Sequence, residues 1–410
     1  MKYGCIGEHL KHSFSKEIHS YIGDYEYEIM EIAKDDVDAF MRKKDFLAIN
    51  VTIPYKETVI PYLSFIDESA RLIGAVNTIV NRGGELYGYN TDFFGMQSLA
   101  KRANIDFWGK KVLILGTGGT SKTAYAVAKH EGAKEIIKVS RRPSNDTVLY
   151  TDIYKKHTDA EIIINTTPVG MYPNIFDKPI ELGSFTKLSG VIDAIYNPQN
   201  TPLVLEAKKL GIKAVGGLYM LVAQGVLASE YFLDTRYDSS ILEDVFTKTI
   251  NEKKNIVLIG MPSSGKSTVG KILREKLSRE LIDTDELIVK TAGMPISEIF
   301  AKFGEAKFRD IETSVIKKIS ERSGVVIATG GGAILREENL DALRENGKLF
   351  FIDRPLDMLI PTKDRPTASD RASIEKRYSE RYEIYCSAAD FRVDGSKEAK
   401  EVADEILKNF

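Results

Sequence analysis

A phosphate-binding loop is predicted at residues 260–267, where the sequence fits GxxxxGK followed by serine in full. An apolar strand pattern precedes the loop and a helix pattern follows it, as this motif requires. The glycines let successive backbone N–H groups turn towards phosphate oxygens, and the positive end of the helix adds to the attraction. The lysine would reach the β- and γ-phosphates, and the next serine would hold Mg²⁺. The predicted ATP contacts are Gly260, Ser263, Ser264, Gly265, Lys266, Ser267 and Thr268.

A second glycine-rich loop, "GTGGTS" at residues 116–121, follows the same strand-to-helix plan. It is a weakened dinucleotide-binding fingerprint, and a simple turn is the alternative interpretation. The next strand ends in "KVSRRPS", without the acidic residue that binds the ribose 2′-hydroxyl of NAD. The basic residues favour the 2′-phosphate of NADP, although an exposed basic turn has the same pattern. The predicted contacts are Gly116, Gly118, Gly119, Ser121, Ser140, Arg141 and Arg142.

Both loops lie in chains of alternating strand and helix patterns, which are typical of parallel sheets covered by helices on both faces. In the first half, strands are predicted at residues 112–115, 162–164, 190–194 and 212–215, with helices at 121–130 and 203–210. The pattern restarts at residue 255, with strands at 256–259, 325–328 and 349–352. The predicted fold class is therefore α/β, with a Rossmann domain before a P-loop domain.

The length of 410 residues predicts more than one domain, because single cores stop growing near about 250 to 300 residues. A polar connector without glycine or proline places the main boundary near residue 250. We predict an α/β substrate domain at 1–92, a Rossmann domain at 93–216, and C-terminal helices at about 217–246 that complete the first domain. A linker at 247–254 and a kinase-like domain at 255–410 follow.

Composition excludes several classes of function. A net charge of −2 gives no reason to expect nucleic acid or an anionic membrane as a partner. Cys5 and Cys386 cannot build a disulfide framework, and no histidine falls in a metal-binding spacing. There is neither a signal-peptide pattern nor a run of about 18 apolar residues, so the expected compartment is the cytoplasm.

Residues 1 to about 245 resemble shikimate dehydrogenase, because seven separated motifs occur in the family's order, including "HSFSKEIH", "INVTIPYKE", "GYNTDFFG" and "GGLYMLVAQG". The resemblance implies a catalytic pair, Lys56 and Asp92. A lysine ammonium suits the reduction of a ketone, because it supplies both a proton and positive charge to the developing alkoxide. The resemblance also implies substrate contacts from Ser13, Ser15, Thr52, Asn77, Asn90, Asp92, Tyr196 and Gln224, with Gly217 near the cofactor. It leaves His12 with no role beyond proximity to the substrate.

Residues 254–410 resemble shikimate kinase through the ordered segments "LIDTDELI", "IFAKFGEAKFRDIE", "IATGGGAIL" and "SERYEIYCSAAD". The resemblance places Asp283 near Mg²⁺ and gives Asp285 the substrate hydroxyls, and we expect both to end a strand. Arg309 and Arg381 are the implied carboxylate-binding arginines, whose planar guanidinium groups suit that task. Gly330, Gly331 and Gly332 would let the backbone approach the substrate ring. The segment "TKDRPTASD" is shorter than the family's lid, and Arg365 is its candidate transition-state arginine.

The whole chain thus resembles two successive enzymes of aromatic amino-acid biosynthesis. The prediction is NADPH-dependent reduction of 3-dehydroshikimate to shikimate, followed by ATP- and Mg²⁺-dependent phosphorylation of shikimate to shikimate 3-phosphate. One alternative keeps both folds but changes the substrates, with quinate in the first site or another polyol acid in the second. Another holds that one half has lost catalysis and serves as a nucleotide sensor or assembly module. Binding without turnover in either half would support that second alternative.

Overall fold

The structure is a computed structural model that describes residues 2–10, 13–142, 144–361 and 370–410. It divides into two compact units, Met1–Ile250 and Asn251–Phe410. The division falls inside a helix, Ile241–Lys253, so most of the predicted linker is helical. Both units are α/β, with the parallel strand pairing that the sequence predicts.

The first unit opens with a six-stranded sheet in the order β2-β1-β3-β5-β6-β4. Its strands are β1 (Tyr3–Gly7), β2 (Tyr27–Glu31), β3 (Ala48–Val51), β4 (Phe65–Ile66), β5 (Thr78–Arg82) and β6 (Glu85–Tyr89). The first three strands are parallel, whereas β5 runs antiparallel to both β3 and β6. The accompanying helices are α1 (Ser15–Ile22), α2 (Val37–Lys43), α3 (Glu68–Ile73) and α4 (Thr91–Arg102).

The second sheet of this unit is entirely parallel, in the order β12-β11-β10-β7-β8-β9. Its strands are β7 (Lys111–Leu115), β8 (Glu135–Ser140), β9 (Thr147–Leu149), β10 (Ile162–Asn165), β11 (Gly190–Asp193) and β12 (Lys213–Val215). The helices are α5 (Gly119–His130), α6 (Tyr150–Lys156) and α7 (Pro202–Lys209). After Lys111, strand β7 is apolar because Val112 and Ile114 enter one core, while Leu113 and Leu115 enter the core on the opposite face.

Two C-terminal helices, α8 (Leu218–Leu233) and α9 (Ile241–Lys253), complete the first unit. Helix α8 packs along α4 and also contacts α1, β3 and β5, so the chain returns to the first sheet after the second is finished. Most of α8 is buried, which explains why it is apolar on nearly all sides. This return brings residues of α8 beside the residues that open α4.

The second unit contains a five-stranded parallel sheet in the order β14-β15-β13-β16-β17. Its strands are β13 (Asn255–Ile259), β14 (Leu281–Asp283), β15 (Val326–Ala328), β16 (Gly347–Asp353) and β17 (Phe391–Asp394). The helices are α10 (Lys266–Leu277), α11 (Thr284–Ala292), α12 (Ile296–Ser320), α13 (Glu337–Asn346), α14 (Arg371–Ala388) and α15 (Ala399–Lys408). Gly304 interrupts α12 with a φ of 77°, so two helices meet there.

The structure corrects one local prediction. Asp283 is the last residue of β14, but Asp285 is the second residue of α11 and does not belong to the strand. The Asp283 carboxylate caps this helix by accepting from the backbone N–H of Asp285 at 3.0 Å and of Glu286 at 3.4 Å. A capping carboxylate satisfies N–H groups that the first helical turn leaves without partners, so the helix begins immediately after the strand.

Two candidate active sites

Lys56 and Asp92 form a close ion pair in the first unit. The Nζ atom of Lys56 lies 2.5 Å from Oδ2 of Asp92, and only 13% and 10% of the two side chains are exposed. Asp92 is in the first turn of α4, whose N-cap is Asn90, so the positive end of the helix stabilises the carboxylate. The pair combines a proton donor with a fixed counter-charge in a partly dehydrated place, where electrostatic interactions are stronger than in water.

A buried hydrogen-bond network lies beside this pair. The Asn77 side chain accepts from the Thr91 backbone at 2.8 Å and donates to the Thr91 hydroxyl at 3.0 Å. The same hydroxyl donates to Oε1 of Gln224 on α8 at 3.3 Å. Asn90 donates to the Ala75 carbonyl at 2.8 Å. Three predicted substrate contacts, Asn77, Asn90 and Gln224, are therefore brought together and fixed by their neighbours.

The residues predicted to bind the substrate carboxylate come from two parts of the first unit, the start of α1 and the segment after β11. The hydroxyl of Ser13 donates to that of Ser15 at 3.1 Å, immediately before and at the start of α1. Tyr196, which follows β11, packs its ring 5.2 Å from that of Phe14. Burial raises the pKa of Tyr196 to about 12, although a hydrogen bond with Ser13 opposes the shift. Thr52, also predicted here, is half-buried after β3, next to Gly7.

The glycine loop between β7 and α5, the predicted site of the dinucleotide pyrophosphate, contains one position that only glycine can occupy. Gly116 has a φ of 108°, and a Cβ there would lie 2.8 Å from the Thr166 hydroxyl, so only glycine fits. Gly118 faces open space and caps α5 without a side-chain hydrogen bond. Ser121 is buried and donates to the Gly116 carbonyl at 2.8 Å, so its hydroxyl braces the loop. A Cβ on Gly119 would lie 3.6 Å from Cδ of Lys56, so this loop adjoins the ion pair.

The basic turn predicted to select NADP lies at the end of β8. Arg141 and Arg142 are both exposed there, and the Arg142 backbone N–H donates to the Ser140 hydroxyl at 3.1 Å. That bond shapes the turn and leaves both guanidinium groups open to solvent. Gly217 is close-packed, since a Cβ there would lie 2.2 Å from the Ala194 carbonyl oxygen. Close packing therefore explains why residue 217 is a glycine, and its contact with the cofactor stays a prediction.

The P-loop of the second unit follows β13 directly and ends at the start of α10. Gly260, Ser263 and Gly265 have φ values of 151°, 66° and 93°, which bend the loop around a concave surface. The Lys266 ammonium is buried and donates to the carbonyl oxygens of Gly260 and Met261, both at 2.8 Å. Ser264 is buried beside this ammonium at 3.4 Å, whereas Thr268 is exposed on the helix.

A hydroxyl and a carboxylate meet at the edge of this loop. The Ser267 hydroxyl donates to Oδ2 of Asp283 at 2.6 Å. Both groups offer the oxygen ligands that Mg²⁺ prefers, and a magnesium site in a kinase commonly uses one or two protein ligands plus substrate phosphates. Among the described residues, no group of three or more His, Cys, Asp or Glu side chains could hold a metal ion alone. The residues present fit a magnesium ion that binds together with ATP.

Arg309 on α12 is held by two carboxylates. Its Nη1 donates to Oε2 of Glu312 at 2.6 Å, and its Nη2 donates to Oε1 of Glu305 at 3.1 Å. Glu305 directly follows the break at Gly304. Burial raises the pKa of the Glu312 carboxyl, and Arg309 partly opposes that shift. The Oε1 atom of Glu312 is buried and accepts no hydrogen bond within the described part of the chain.

The three consecutive glycines after β15 are packed against the acidic and basic residues of this site. A Cβ on Gly330 would lie 2.6 Å from Oδ1 of Asp285 and 3.2 Å from Oε1 of Glu312. One on Gly332 would lie 2.3 Å from Nη1 of Arg309. A Cβ on Gly331 would lie 2.8 Å from the ring of Pro262 in the P-loop. These glycines therefore give the functional side chains of the second unit their space.

Arg381 completes this group from α14. It is 7% exposed, and its Nη1 donates to the Gly331 carbonyl at 3.1 Å. The hydroxyl of Tyr385 donates to the same carbonyl. The structure thus brings Asp283, Asp285, Arg309, Arg381 and the three glycines to one edge of the sheet. Arg365 lies outside the described residues, as does His12 in the first unit.

Two residues with central positions in these sites were missed by the sequence analysis. Thr91 is a fully buried link between Asn77 and Gln224. Glu312 is the buried partner of Arg309. Thr91 lies between two predicted site residues, and Glu312 follows Arg309 by three positions, which places both side chains on one face of a helix. The second spacing was a usable signal.

Comparisons with known proteins agree with the division of the chain into two units. Residues 5–79 match the family model of the shikimate dehydrogenase substrate binding domain, and residues 262–410 match that of shikimate kinase. The shikimate dehydrogenase (NADP(+)) of Clostridium perfringens is 36% identical over 261 residues, which cover 60% of this chain and 96% of that protein. The chain belongs to the shikimate dehydrogenase family. Its second unit is a shikimate kinase domain.

Solved structures of shikimate dehydrogenases have the fold of the first unit. Shikimate dehydrogenase 1 from Peptoclostridium difficile is 38% identical with a TM-score of 0.56, and the match covers 61% of this chain and 98% of that one. Shikimate 5-dehydrogenase from Thermus thermophilus, in complex with NADP(H) and shikimate, is 25% identical with a TM-score of 0.55. That match covers 60% of this chain and 99% of the other.

These findings confirm the predicted fold class, the two enzyme families and the cofactors NADP and ATP with Mg²⁺. The chain is a bifunctional enzyme of the shikimate pathway, which joins a dehydrogenase to a kinase. Within the described residues, none of the helices combines the length and the apolar character that crossing a membrane requires.

Proposed function

We propose that the first unit reduces 3-dehydroshikimate to shikimate with NADPH, and that the second phosphorylates the 3-hydroxyl of shikimate with ATP. The observation that carries the proposal is the enclosed Lys56–Asp92 pair beside Gly119. A ketone reductase needs a proton donor that reaches the carbonyl oxygen while the hydride donor is bound, and an ammonium beside the predicted cofactor loop meets that need.

In the dehydrogenase reaction, NADPH supplies the hydride when it is bound. Lys56 donates a proton to the carbonyl oxygen as negative charge develops there, and its ammonium stabilises that charge. Asp92 holds the ammonium in place. Ser13 and Ser15 bind the substrate carboxylate as neutral donors, while Thr52, Asn77, Asn90 and Gln224 bind the ring hydroxyls. Tyr196 closes the carboxylate end of the pocket.

In the kinase reaction, the P-loop binds the phosphates of ATP. Ser267 and Asp283 would hold Mg²⁺, and the ion would offset the negative charge of the phosphates. Lys266 leaves the loop carbonyls to reach the transferred phosphate. Asp285 accepts hydrogen bonds from the ring hydroxyls and takes the proton of the attacking one. Arg309 and Arg381 bind the shikimate carboxylate, and Glu312 holds Arg309. Arg365 stays the candidate for the transition-state arginine.

Quinate in the first site, or another polyol acid in the second, would keep all the geometry described above. Shikimate is favoured because Ser13 and Ser15 are both present, whereas the quinate-preferring branch of the family commonly alters one of these positions. A nucleotide-sensing role for either half is disfavoured, since Lys56, Asp92 and Lys266 occupy enclosed positions with defined partners. The expected partners are small molecules, with no nucleic acid and no membrane.

The expected compartment is the cytoplasm, which is supported by two free cysteines, Cys5 and Cys386. The experiment that tests the whole proposal uses the purified full chain with 3-dehydroshikimate, NADPH, ATP and Mg²⁺. Loss of NADPH absorbance and formation of ADP are followed together. ADP should form only after NADPH begins to be oxidised, and added shikimate should remove that dependence. NADPH oxidation without ADP, or ADP only with a different polyol acid, would contradict the proposal.

A further inference from the structure

The cations of the kinase site are not equally available for an anionic ligand. Arg309 already has two carboxylates as partners, Glu312 at 2.6 Å and Glu305 at 3.1 Å. Each of these bonds uses a guanidinium nitrogen that a substrate carboxylate would also use. Arg309 therefore keeps only some of its N–H groups for an anionic ligand, and further cations at this end of the site would strengthen the binding of a substrate carboxylate.

Two arginines on α14 lack such partners. Arg381 donates to the Gly331 carbonyl at 3.1 Å, and Arg377 donates to the Ser373 carbonyl at 3.3 Å. Among the described residues, neither guanidinium has an Asp or Glu oxygen within 4.0 Å, in contrast to Arg309. Carbonyl oxygens are neutral acceptors, so these bonds leave the charge of both arginines uncompensated.

Arg377 and Arg381 share one face of α14 because they are four residues apart. The rise along the helix axis between them is about 6 Å. Both line one cavity of about 390 Å³, together with Glu305, Leu335, Ser373, Lys376 and Glu380. Arg377 is half-buried there. Two guanidinium groups on one helix face thus line the cavity, and the guanidinium group is the side chain that binds carboxylate oxygens best.

The electrostatics of the cavity agree with this geometry. Burial lowers the pKa of Arg377, and the positive charges of Arg381 and Arg309 lower it further. Glu305 and Glu380 oppose the shift, but they do not reverse it. Two like charges held together without a carboxylate in direct contact raise the free energy of the site, and an anionic ligand bound between them reduces that cost.

We propose that Arg377 is a substrate-binding residue of the kinase, and that the shikimate carboxylate binds between Arg377 and Arg381. This inference rests on the proposed function of the second unit. Arg309 then contributes with its remaining N–H groups while it holds Glu312 beside Asp285. Nothing in the sequence distinguishes Arg377 from the other charged residues of α14, so the assignment depends on the cavity and on the missing carboxylate partners.

The first test compares Arg377→Ala and Arg377→Lys in the full chain. Loss of a charged hydrogen-bond partner predicts a rise of about 10- to 100-fold in the KM for shikimate. The KM for ATP and kcat should change less than threefold. Arg377→Lys should recover only part of the affinity, because an ammonium cannot make the two-bonded contact. Lys408→Ala is the matched control, because it also removes one positive charge but lies far from the cavity. Lys408 is in the last turn of α15, and the carbonyl of the next residue, Asn409, accepts from Lys348 at the start of β16, at the opposite edge of the sheet.

The second test changes the substrate, because a general loss of structure would also raise KM. Shikimate carboxamide is neutral at the position that the two arginines would bind. The wild-type chain should prefer shikimate to its carboxamide by a large ratio of kcat/KM, and Arg377→Ala should reduce that ratio about tenfold or more. If Arg377 had a purely structural role, Arg377→Ala would lower kcat/KM equally for shikimate and its carboxamide, and the ratio would not change.

The outcomes separate the inference from the proposed function. If the wild-type chain does not phosphorylate shikimate, the proposed kinase function fails. If the wild-type chain does phosphorylate it, but Arg377→Ala leaves the KM or the acid-to-amide ratio unchanged, the inference about Arg377 is overturned. An equal rise in KM for Lys408→Ala would also overturn it, because the effect would then depend on net charge alone.

Discussion

Lys56 and Asp92 are 36 residues apart in the chain, yet their charged atoms are 2.5 Å apart in a largely buried ion pair. Lys56 follows β3, and Asp92 opens α4 after β6, so the sheet of the first domain brings them together. The glycine loop of the second sheet adjoins Lys56 through Gly119. Lys56 thus lies where the first sheet of this unit meets the glycine loop of the second sheet, which is the position that the proposed proton donor requires.

Lys56→Ala should remove most NADPH oxidation, because the developing alkoxide loses its proton donor. General acids contribute about 10²- to 10⁴-fold, so kcat should fall within that range. Steady-state rates with 3-dehydroshikimate measure the effect, and phosphorylation of added shikimate by the same preparation should be unchanged. Lys101→Ala, an exposed position in the last turn of α4, is the control. A decrease of less than fivefold in Lys56→Ala would exclude Lys56 as the proton donor.

Arg141→Ala should weaken the preference for NADP over NAD. The exposed guanidinium at the end of β8 can pair with a 2′-phosphate, and losing a charged hydrogen bond should lower the ratio of kcat/KM values about 10- to 100-fold. The change should come from NADPH, with little effect on NADH. Lys156→Ala removes an exposed charge from the same domain and should leave the ratio unchanged. An unaltered ratio in Arg141→Ala would make the basic turn an ordinary surface feature.

Lys266→Ala should abolish phosphoryl transfer and spare the dehydrogenase. Removing a single charge-stabilising donor typically costs about 10²- to 10³-fold, and we expect at least that loss in kcat. The buried ammonium also holds the carbonyls of Gly260 and Met261, so the loop itself should bind ATP more weakly. Lys271→Ala, exposed on the same helix, is the matched control. ADP formation at saturating shikimate decides the outcome, and a Lys266→Ala enzyme with near-normal kcat would refute the role.

The positions of many strands in the second and third sheets follow from patterns visible in the sequence. Continuous apolar runs such as that of β7 indicated strands buried on both faces, and the predicted limits differ from the observed ones by a residue or two. Glycine spacing located both loops, because Gly116, Gly260 and Gly265 adopt a positive φ that side-chain-bearing residues rarely adopt. Sequence patterns were therefore sufficient to predict those features in which local backbone geometry or burial determines the residue type.

The contacts between distant side chains could not be predicted in this way. No spacing joins Lys56 to Asp92, and only the resemblance to a family paired them. Asp285 was assigned to a strand because the alternation of two aspartates imitates one, while helix capping by Asp283 decides the actual structure. The availability of Arg377 depends on which carboxylates pair with Arg309, and that is a property of the folded site alone.

Glu345 makes the stability of the second unit dependent on pH. It is 2% exposed on α13, and burial raises its pKa to about 9, with smaller contributions from Asp341 and Glu321. A carboxyl whose pKa is higher in the folded state than in the unfolded state favours folding while it is protonated. Its contribution should therefore be lost as the pH rises from about 4.5 towards 9.

Glu345→Gln should flatten this dependence, because the amide stays neutral. The measurement is the urea concentration at which the second unit is half unfolded, at pH 6 and at pH 8.5. Amide hydrogen exchange in peptides from residues 251–361 follows this unfolding in the full chain. The wild-type midpoint should fall between the two pH values more than that of Glu345→Gln. Glu338→Gln, half-exposed on the same helix and paired with Lys317, should behave as wild type. Parallel behaviour of the wild type and Glu345→Gln would show that this carboxyl does not titrate with folding.

Gly332→Ala should damage shikimate binding through Arg309. The added methyl group would lie 2.3 Å from Nη1 and 2.6 Å from Cζ of that arginine, so the guanidinium must move. A flexible arginine would move easily, but Glu312 and Glu305 hold this one. The expected result is a rise of about tenfold or more in the KM for shikimate, since charged hydrogen bonds are lost. The KM for ATP should stay nearly constant.

A double-mutant cycle distinguishes this mechanism from a general disturbance of the glycine segment. In an Arg309→Ala background the methyl group has space, so Gly332→Ala should then have little further effect on the KM for shikimate. Residues in direct contact give such non-additive effects, whereas independent disturbances add. Steady-state kinetics on the wild type, the two single variants and the double variant supply the four values. Additive changes would mean that Gly332 affects binding by a route that does not involve Arg309.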